Sequence, residues 1–289
     1  MEQDKMNIQW YPGHMTKTRR QIEADLKQVD AVCEIVDARI PMSSRNPDID
    51  AICGNKPRIV ILNRMDLADP AATKRWAEYF KKKGMAAVPT DCKSRKGIAD
   101  FQPAVRSVLK EKIERDAAKG MNKPVRVMIV GIPNVGKSTL INQISGRKGA
   151  KAENRPGVTR GKQWVTVDSS LLLLDTPGIL WPKFEDPRVG MVLAYTGAVK
   201  DGIMDIEELA CYLIQLLHNR YPQALKDRYG IDVEEDIPGY ELLEMAGRKR
   251  GFLVSGGEIN TERMAKVLLD EYRSGKLGRF TLEEPEENV

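Results

Sequence analysis

The most constraining feature of this 289-residue sequence is a glycine-rich segment that ends in lysine and serine. Residues 131–138 read Gly-Ile-Pro-Asn-Val-Gly-Lys-Ser and fit the pattern G-x-x-x-x-G-K-[ST] at every fixed position. A β-branched run at 125–130 precedes the segment, and Leu140 and Ile141 indicate a helix after it. The segment therefore predicts a strand, a phosphate-binding loop and a helix within an α/β domain.

The residue types in this loop suit phosphate chemistry. Backbone N–H groups of the loop and of the helix N-terminus bind phosphate oxygens. We expect Lys137 to reach the β and γ oxygens and the Ser138 hydroxyl to ligate Mg²⁺. Further nucleotide contacts are expected from Asn134, Val135, Gly136 and Thr139. A chance glycine-rich turn is the alternative, and the matching strand and helix argue against it.

A second phosphate-reading segment follows the apolar run at 171–174. Residues 175–178 read Asp-Thr-Pro-Gly, so an apolar strand delivers Asp175 to the edge that carries the loop. We expect Asp175 to hold Mg²⁺ through water and the Gly178 amide to sense a γ-phosphate. Between the two motifs, residues 156–159 read Pro-Gly-Val-Thr, and the Thr159 hydroxyl is predicted to complete the Mg²⁺ shell.

A base-reading segment lies upstream, at the end of the β-branched run at 57–62. Residues 63–66 read Asn-Arg-Met-Asp. The Asp66 carboxylate can accept both the N1–H and the 2-amino group of guanine, a pairing that adenine does not offer. Asn63 is expected to tie this segment to the phosphate loop, and the stem of Arg64 to lie over the base. A strand-terminating turn is the structural alternative.

A third strand end, after the run at 86–89, supplies the last predicted base contact. Asp91 and Cys92 follow this run, and the Cys92 backbone N–H is the expected donor to the guanine 6-oxo oxygen. The side-chain pattern here is weaker than in the other motifs.

The order of the motifs is permuted, because the base-reading segment precedes the phosphate loop. Six runs predict strands of one α/β sheet: 31–37, 57–62, 86–89, 125–130, 163–167 and 171–174. Their apolar residues predict that all six are buried. The charged stretch 110–123 reads as a connecting helix. After residue 187 the pattern becomes helical, with an apolar face at 205–217 and Asp205 as a candidate N-cap, and with a second helix at 261–273.

The sequence thus predicts a circularly permuted P-loop GTPase domain at 1–186, which includes a basic and aromatic N-terminal segment. A small all-helical domain, expected to bind RNA, follows at 187–289. Because the γ-phosphate-sensing segment leads directly into the helical domain, nucleotide state is expected to influence that domain.

Together these motifs resemble the circularly permuted GTPases, and most closely the ribosome biogenesis GTPase A family. The resemblance spans nearly the whole chain. It also rests on Trp-Tyr-Pro-Gly-His-Met at 10–15, Val-Asp-Ala-Arg-Ile-Pro at 36–41 and Pro-Gly-Val-Thr-Arg at 156–160. Two positions depart from the family pattern: Arg64 replaces the usual lysine, and Asp-Cys-Lys at 91–93 replaces Ser-Ala-Lys.

The resemblance implies how the chain hydrolyses GTP. Ile179 occupies the position where many GTPases have a water-orienting glutamine, and an apolar side chain does not align water. The resemblance implies that His14 takes this catalytic role on a ribosomal particle and that Asn134 ligates K⁺. The alternatives are a packed turn or an RNA contact around His14, and a loop-bracing side chain for Asn134.

The resemblance also implies GTP and GDP as ligands and a large ribosomal subunit precursor, with its rRNA, as partner. Candidate phosphate contacts are the basic residues near the N-terminus and within the helical domain, namely Lys17, Arg19, Arg20, Arg248, Lys249 and Arg250. Solvated surface charge is the alternative for each cluster. A nucleotide-gated RNA-binding switch with negligible turnover and an ATP-using kinase are the alternative functions.

Composition adds limits to this interpretation. The net charge of +5 is compatible with an anionic partner, although Glu283, Glu284, Glu286 and Glu287 make the end of the chain acidic. The widely spaced Cys33, Cys53, Cys92 and Cys211 predict reduced thiols. No apolar run is long enough for a membrane span, so we expect a cytoplasmic protein with neither a membrane nor DNA as partner.

Overall fold

The computed structural model describes residues 22–146, 163–178, 186–199, 205–233 and 236–285. Within these ranges the chain forms two compact units. One unit comprises residues 22–178 together with 280–285, and the other comprises residues 186–279. The first unit contains the predicted nucleotide motifs, and the second is helical.

Within the described residues, the first unit is built on a six-stranded sheet. Its strands are β1 (Ala31–Asp37), β2 (Arg58–Asn63), β3 (Ala86–Pro89), β4 (Val125–Val130), β5 (Gln163–Asp168) and β6 (Leu171–Asp175). The spatial order is β3-β2-β1-β4-β6-β5. β5 pairs antiparallel with β6, and the other neighbouring strands are parallel. This sheet confirms the predicted α/β class.

The β-branched and leucine-rich runs form strands because both faces of the central sheet are covered. Every residue of β1 and β2 is buried. The run at 163–167 was predicted to be equally buried, and this prediction is wrong. β5 is an edge strand whose residues are exposed or half-buried, because the sheet continues on only one of its sides.

Besides the helical residues 22–26, the described part of the first unit has five α-helices after β1. They are α1 (Ile49–Cys53), α2 (Pro70–Lys82), α3 (Phe101–Val108), α4 (Lys110–Ala118) and α5 (Lys137–Ser145). Asp69 caps α2 by accepting from the Ala72 N–H, and Pro70 occupies the first turn. No residue of α4 is buried, in keeping with its predicted role as a connection.

The sheet order places the predicted motifs at one edge. β4 lies centrally, with β1 on one side and β6 on the other. Because β1, β2, β4 and β6 run parallel, the loops after their carboxyl ends emerge at the same edge. The permuted chain order therefore leads to a single convergent site.

The second unit consists of packed helices. They are α6 (Pro187–Tyr195), α7 (Ile206–Arg220), α8 (Pro222–Tyr229), α9 (Gly239–Lys249) and α10 (Thr261–Ser274). Asp205 caps α7 by accepting from the N–H groups of Glu207 and Glu208, as predicted. Leu213 and Leu268, on the apolar faces of α7 and α10, are fully buried.

The end of the chain departs from the predicted domain boundary at 187–289. Residues 280–285 belong to the first unit, where the side chains of Phe280 and Leu282 are buried. Hydrogen bonds to residues more than 200 positions upstream hold this segment. The acidic residues that follow gave no indication that Phe280 and Leu282 pack into the first unit.

The four cysteines are free, in agreement with the predicted thiols. Across the described ranges, no helix has both the length and the apolar character needed to cross a membrane.

Candidate nucleotide site

The phosphate loop joins β4 to α5 through a backbone that requires glycine. Gly136 has φ +106°, and an added Cβ would approach Asn63 Nδ2 to 2.3 Å. The side chain of Asn63 therefore occupies the space that a larger residue at 136 would need. Gly136 is the N-cap residue of α5 and has no side chain that could cap the helix, which suits a helix N-terminus that binds phosphate.

Lys137 and Asp175 form the charged centre of this site. Both side chains are buried, Lys137 at the start of α5 and Asp175 at the end of β6. Burial lowers the pKa of Lys137 against the opposing effect of Asp175. Burial likewise raises the pKa of Asp175 against the attraction of Lys137. Each charge is thus stabilised less by the protein than by water, as expected where a charged ligand completes the site.

One carboxylate oxygen at this centre is an unsatisfied hydrogen-bond acceptor. Asp175 Oδ1 is buried and has no hydrogen-bond partner within the described residues. A buried carboxylate oxygen without a donor is costly unless a ligand supplies the compensating charge. The half-buried Ser138 lies at the start of α5. A hydroxyl and a carboxylate are the oxygen ligands that Mg²⁺ prefers, so these two residues fit a magnesium site.

Gly178 lies against the phosphate loop. An added Cβ at Gly178 would stand 3.0 Å from the Pro133 nitrogen. The segment after β6 therefore reaches the loop closely, because residue 178 has no side chain. This proximity is what a γ-phosphate sensor needs.

Asn63 ties the base-reading segment to the phosphate loop, as the sequence predicts. Its Nδ2 donates to the Val135 carbonyl at 2.7 Å. Its Oδ1 accepts from the Cys92 N–H at 3.1 Å. One buried amide thereby fixes the relative positions of three loops.

The head group of Arg64 contacts both the phosphate loop and the end of β1. It donates to the Asn134 carbonyl at 2.6 Å and to Asp37 Oδ2 at 3.2 Å. The predicted stem over the base is compatible with a head group anchored on the phosphate loop. Arg64 and Asn134 both have left-handed backbone conformations, with φ near +62° and +60°. Such conformations are rare outside glycine and concentrate at functional sites.

Asp66 lies exposed at the tip of the base-reading turn. The Leu67 N–H donates to the Arg64 carbonyl at 2.9 Å, and the Met65 N–H donates to the Thr90 carbonyl at 3.1 Å. The turn is therefore held while the Asp66 carboxylate faces outward, ready to accept hydrogen bonds from a base.

Cys92 has a role that the sequence did not predict. We expected its N–H to face the guanine 6-oxo oxygen, but in the structure this N–H donates to Asn63 Oδ1. The neighbouring Asp91 Oδ1 accepts from the N–H groups of Lys93 and Ser94. These contacts lower the pKa of Asp91, although burial acts in the opposite direction. Residues 91–94 thus form a tight turn that braces Asn63.

Asp37 is a site residue to which the sequence patterns assign no role. It lies at the end of β1, directly beside Asn63 in the β1–β2 register. Its carboxylate accepts from Arg39 Nε at 2.9 Å and from Arg64. Burial acts to raise its pKa, but Arg39 and Arg64 hold the pKa below the ordinary value. The sequence signal that could have identified Asp37 is an acidic residue at the end of a predicted strand.

Three positions with predicted catalytic relevance, His14, Thr159 and Ile179, lie outside the described residues. The N-terminal basic cluster Lys17, Arg19 and Arg20 lies outside them as well.

Comparison with known proteins decides the family. The family described as 50S ribosome-binding GTPase matches residues 126–238. The chain is 50% identical over 285 residues to the ribosome biogenesis GTPase A of Priestia megaterium, an alignment that covers 98% of both proteins. The chain belongs to the ribosome biogenesis GTPase A family.

Solved structures of this family agree with the fold. The GDP-bound form of YlqF from Thermotoga maritima has a TM-score of 0.63 and 30% identity, and the match covers 93% of this chain and 100% of that one. The GNP-bound form has a TM-score of 0.61, also at 30% identity, and covers 93% and 99%. As a ribosome biogenesis GTPase A member, the chain binds guanine nucleotides and hydrolyses GTP. The alternative of an ATP-using kinase is therefore excluded.

Proposed function

We propose that the chain is a magnesium-dependent GTPase that acts on a late precursor of the large ribosomal subunit, which stimulates its hydrolysis. The observation that supports the magnesium-dependent chemistry is the buried Asp175 Oδ1, which has no hydrogen-bond partner in the described residues and interacts electrostatically with Lys137. A buried carboxylate and a buried cation, both shifted toward their neutral forms, suit a site completed by a metal and a phosphate chain.

The proposed magnesium shell uses residues on both sides of the phosphate loop. Ser138 and Thr159 would ligate Mg²⁺ directly, and Asp175 would hold it through water. The metal would neutralise charge that develops on the phosphate oxygens. Lys137 would bind the β and γ oxygens, and Gly178 would donate its N–H to the γ-phosphate. Asn134 is the proposed ligand of a K⁺ ion.

Hydrolysis without a partner is expected to be slow. Ile179 replaces the glutamine that orients water in many GTPases. We assign this task to His14, whose neutral imidazole can position a water or take up a proton. Because His14 is far from the phosphate loop in sequence, docking on the particle is the proposed means of bringing it into place.

The particle as partner is supported by the names of the relatives, which include ribosome biogenesis GTPase A and mitochondrial ribosome-associated GTPase 1. A factor that acts on ribosomal precursors in bacteria would work in the cytoplasm. The helical unit offers Arg248 and Lys249, both exposed on α9, as phosphate contacts. Arg250 is less suited to this role, because it pairs with Glu271 and lies 5.5 Å from the Tyr229 ring centre.

The test compares GTP turnover with and without purified large-subunit precursors at saturating GTP and constant potassium. We expect the particles to raise the turnover number at least tenfold, a lowering of the barrier by about 1.4 kcal/mol. Mature small subunits serve as the matched control and should not stimulate. An unchanged rate with precursors that bind the protein would contradict the proposal.

A nucleotide-gated RNA-binding switch is the second candidate, favoured by Ile179 at the glutamine position. In both cases the γ-phosphate would favour association with the particle, since it would order the segments that contain Thr159 and Gly178. We expect stronger co-sedimentation with a non-hydrolysable GTP analogue than with GDP. Stronger binding without any rate stimulation would favour the switch.

A further inference from the structure

Close to the last described residues, the chain forms a strap across the base-reading side of the first unit. We define the strap as Phe280–Glu283. The side chains of Phe280, Thr281 and Leu282 are buried, with Thr281 only 1% exposed. A buried threonine hydroxyl requires hydrogen-bond partners, and Thr281 Oγ1 has partners on two different loops.

The first of these loops follows the base-reading turn. Leu67 comes directly after Asp66, and its carbonyl accepts from the Phe280 N–H at 3.0 Å. Two residues further on, the Asp69 N–H donates to Thr281 Oγ1 at 3.2 Å. The strap therefore holds the chain on the downstream side of Asp66, whereas Asn63 and Met65 hold the upstream side.

The second loop follows β1. Thr281 Oγ1 donates to the Ala38 carbonyl at 3.3 Å, and the Leu282 N–H donates to the Arg39 carbonyl at 2.8 Å. One hydroxyl thus accepts from the Asp69 loop and donates to the Ala38 loop. The latter loop contains Arg39, the ion-pair partner of Asp37, which in turn contacts Arg64.

Glu283 fixes the far end of the strap. Its carboxylate accepts from the N–H groups of Met42 at 2.7 Å and Ser43 at 3.0 Å. Its backbone carbonyl accepts from Trp76 Nε1 at 3.1 Å. The strap is consequently tied at both ends and along its middle.

We propose that Thr281 and Glu283 are positioning residues for guanine recognition. A carboxylate that accepts two hydrogen bonds from one base edge needs a fixed location, and errors of about 0.5 Å weaken such sites. The exposed Asp66 has that location only if the chain on both of its sides is held. The strap supplies the downstream restraint. This inference rests on the proposed assignment of Asp66 to the base.

The test uses the full-length chain and the affinity ratio between GDP and IDP, whose hypoxanthine base lacks the 2-amino group. Thr281→Val keeps the shape of the side chain and removes the hydroxyl with its hydrogen bonds to Asp69 and Ala38. We expect GDP affinity to fall about fivefold and IDP affinity less than twofold, so that the ratio falls. Thr281→Ser retains the hydroxyl and should restore the ratio.

Glu284→Gln is the matched control, because Glu284 follows the strap and pairs with Arg75 on the exposed surface. An exposed ion pair contributes little, and the ratio should not change. Glu283→Gln provides a second variant if Thr281→Val does not fold, and it should lower the ratio in the same direction.

Three outcomes decide the matter. A lower GDP-to-IDP ratio in Thr281→Val or Glu283→Gln, restored by serine at 281, supports the strap. Equal losses for GDP and IDP, or no loss, overturn it. Asp66→Asn is measured alongside with XDP, and failure of that variant to gain XDP would locate the error in the base site and not in the strap.

Discussion

The guanidinium of Arg64 donates to the backbone carbonyl of Asn134 at 2.6 Å, which joins the base-reading segment to the phosphate loop. The two residues are 70 positions apart, and both have left-handed backbone conformations. Since Arg64 also reaches Asp37, it links three loops, whereas a lysine has a single charged nitrogen for the same task.

Replacement of Arg64 should therefore depend on the replacing residue. We expect Arg64→Met to weaken GDP binding about tenfold, because the contacts with Asn134 and Asp37 are lost and the cover over the base site is reduced. Arg64→Lys should lose less than threefold, since the ammonium can still reach one acceptor. Titration with fluorescent GDP measures both. Arg106→Met, at an exposed position on α3, is the control and should bind as the wild type does. A wild-type affinity in Arg64→Met would contradict the linking role.

The base assignment predicts a change of nucleotide preference. Asp66→Asn should shift binding from GTP toward xanthosine triphosphate, because an amide donates to the 2-oxo group where the carboxylate accepted from the 2-amino group. The shift should exceed about tenfold in the affinity ratio. Asp69→Asn is the matched control three residues away, where Asn also caps α2 and should leave the preference unchanged. Unchanged GTP preference in Asp66→Asn would remove the base assignment.

The elements that sequence patterns predict well are those with a local signal. β1 and β4 have the predicted bounds, because buried parallel strands need continuous β-branched runs. Asn63 contacts the phosphate loop as expected, since its position at a strand end determines where its side chain points.

The strap, the Cys92 contact and the pairing of Arg250 were not predictable in this way. Thr281 contacts residues 212 and 243 positions away in the sequence. Hydrophobic periodicity and turn motifs predict only local structure and do not indicate contacts at such separations. Arg250 belongs to a basic run that suggests RNA, yet Glu271 on another helix holds it. Long-range hydrogen bonds depend on tertiary packing, which a single sequence does not state.

The buried pair at the phosphate site should reduce the stability of the nucleotide-free protein. Burial shifts both Lys137 and Asp175 toward their neutral forms. Removal of one charge leaves the other buried without the opposite charge. Neither Lys137→Met nor Asp175→Asn should therefore make the nucleotide-free protein more stable than the wild type. The double variant should have a free energy of unfolding roughly 1 kcal/mol above that of the wild type. It should bind no nucleotide. Thermal unfolding without nucleotide measures this cycle. A double variant less stable than both single variants would refute it.

The helical unit should lose stability in acid through Glu271. Burial acts to raise its pKa, but Arg228, Tyr229 and Arg250 lower it from 4.5 to about 2. The unfolded chain binds the proton more readily, so the contribution is complete above pH 4.5 and is lost as the pH falls toward 2. We expect a loss of up to about 3 kcal/mol across this window.

Glu271→Gln should remove most of this pH dependence and destabilise the unit at neutral pH, because two arginines lose their carboxylate. Glu262→Gln is the control on the same helix, where an exposed pair with Lys266 contributes little. Circular dichroism melts between pH 2 and pH 7 measure both. An identical pH profile in wild type and Glu271→Gln would contradict the assignment.

The catalytic proposal for His14 separates binding from turnover. His14→Ala should leave GTP affinity nearly unchanged and lower the particle-stimulated rate at least about tenfold, a loss of about 1.4 kcal/mol of transition-state stabilisation. The reason is that no other side chain is assigned to orient the water at the position where Ile179 replaces glutamine. Single-turnover hydrolysis on saturating precursors is the measurement.

An RNA-contact role for His14 would also lower the stimulated rate, by weakening docking, so particle binding must be measured in the same variant with a non-hydrolysable analogue. Arg19→Ala is the comparison, because loss of a phosphate contact should weaken docking and leave the rate on saturated particles intact. If His14→Ala behaves like Arg19→Ala, or if its rate survives with full docking, the histidine is not the catalytic group. In that case a group on the ribosomal particle must orient the attacking water.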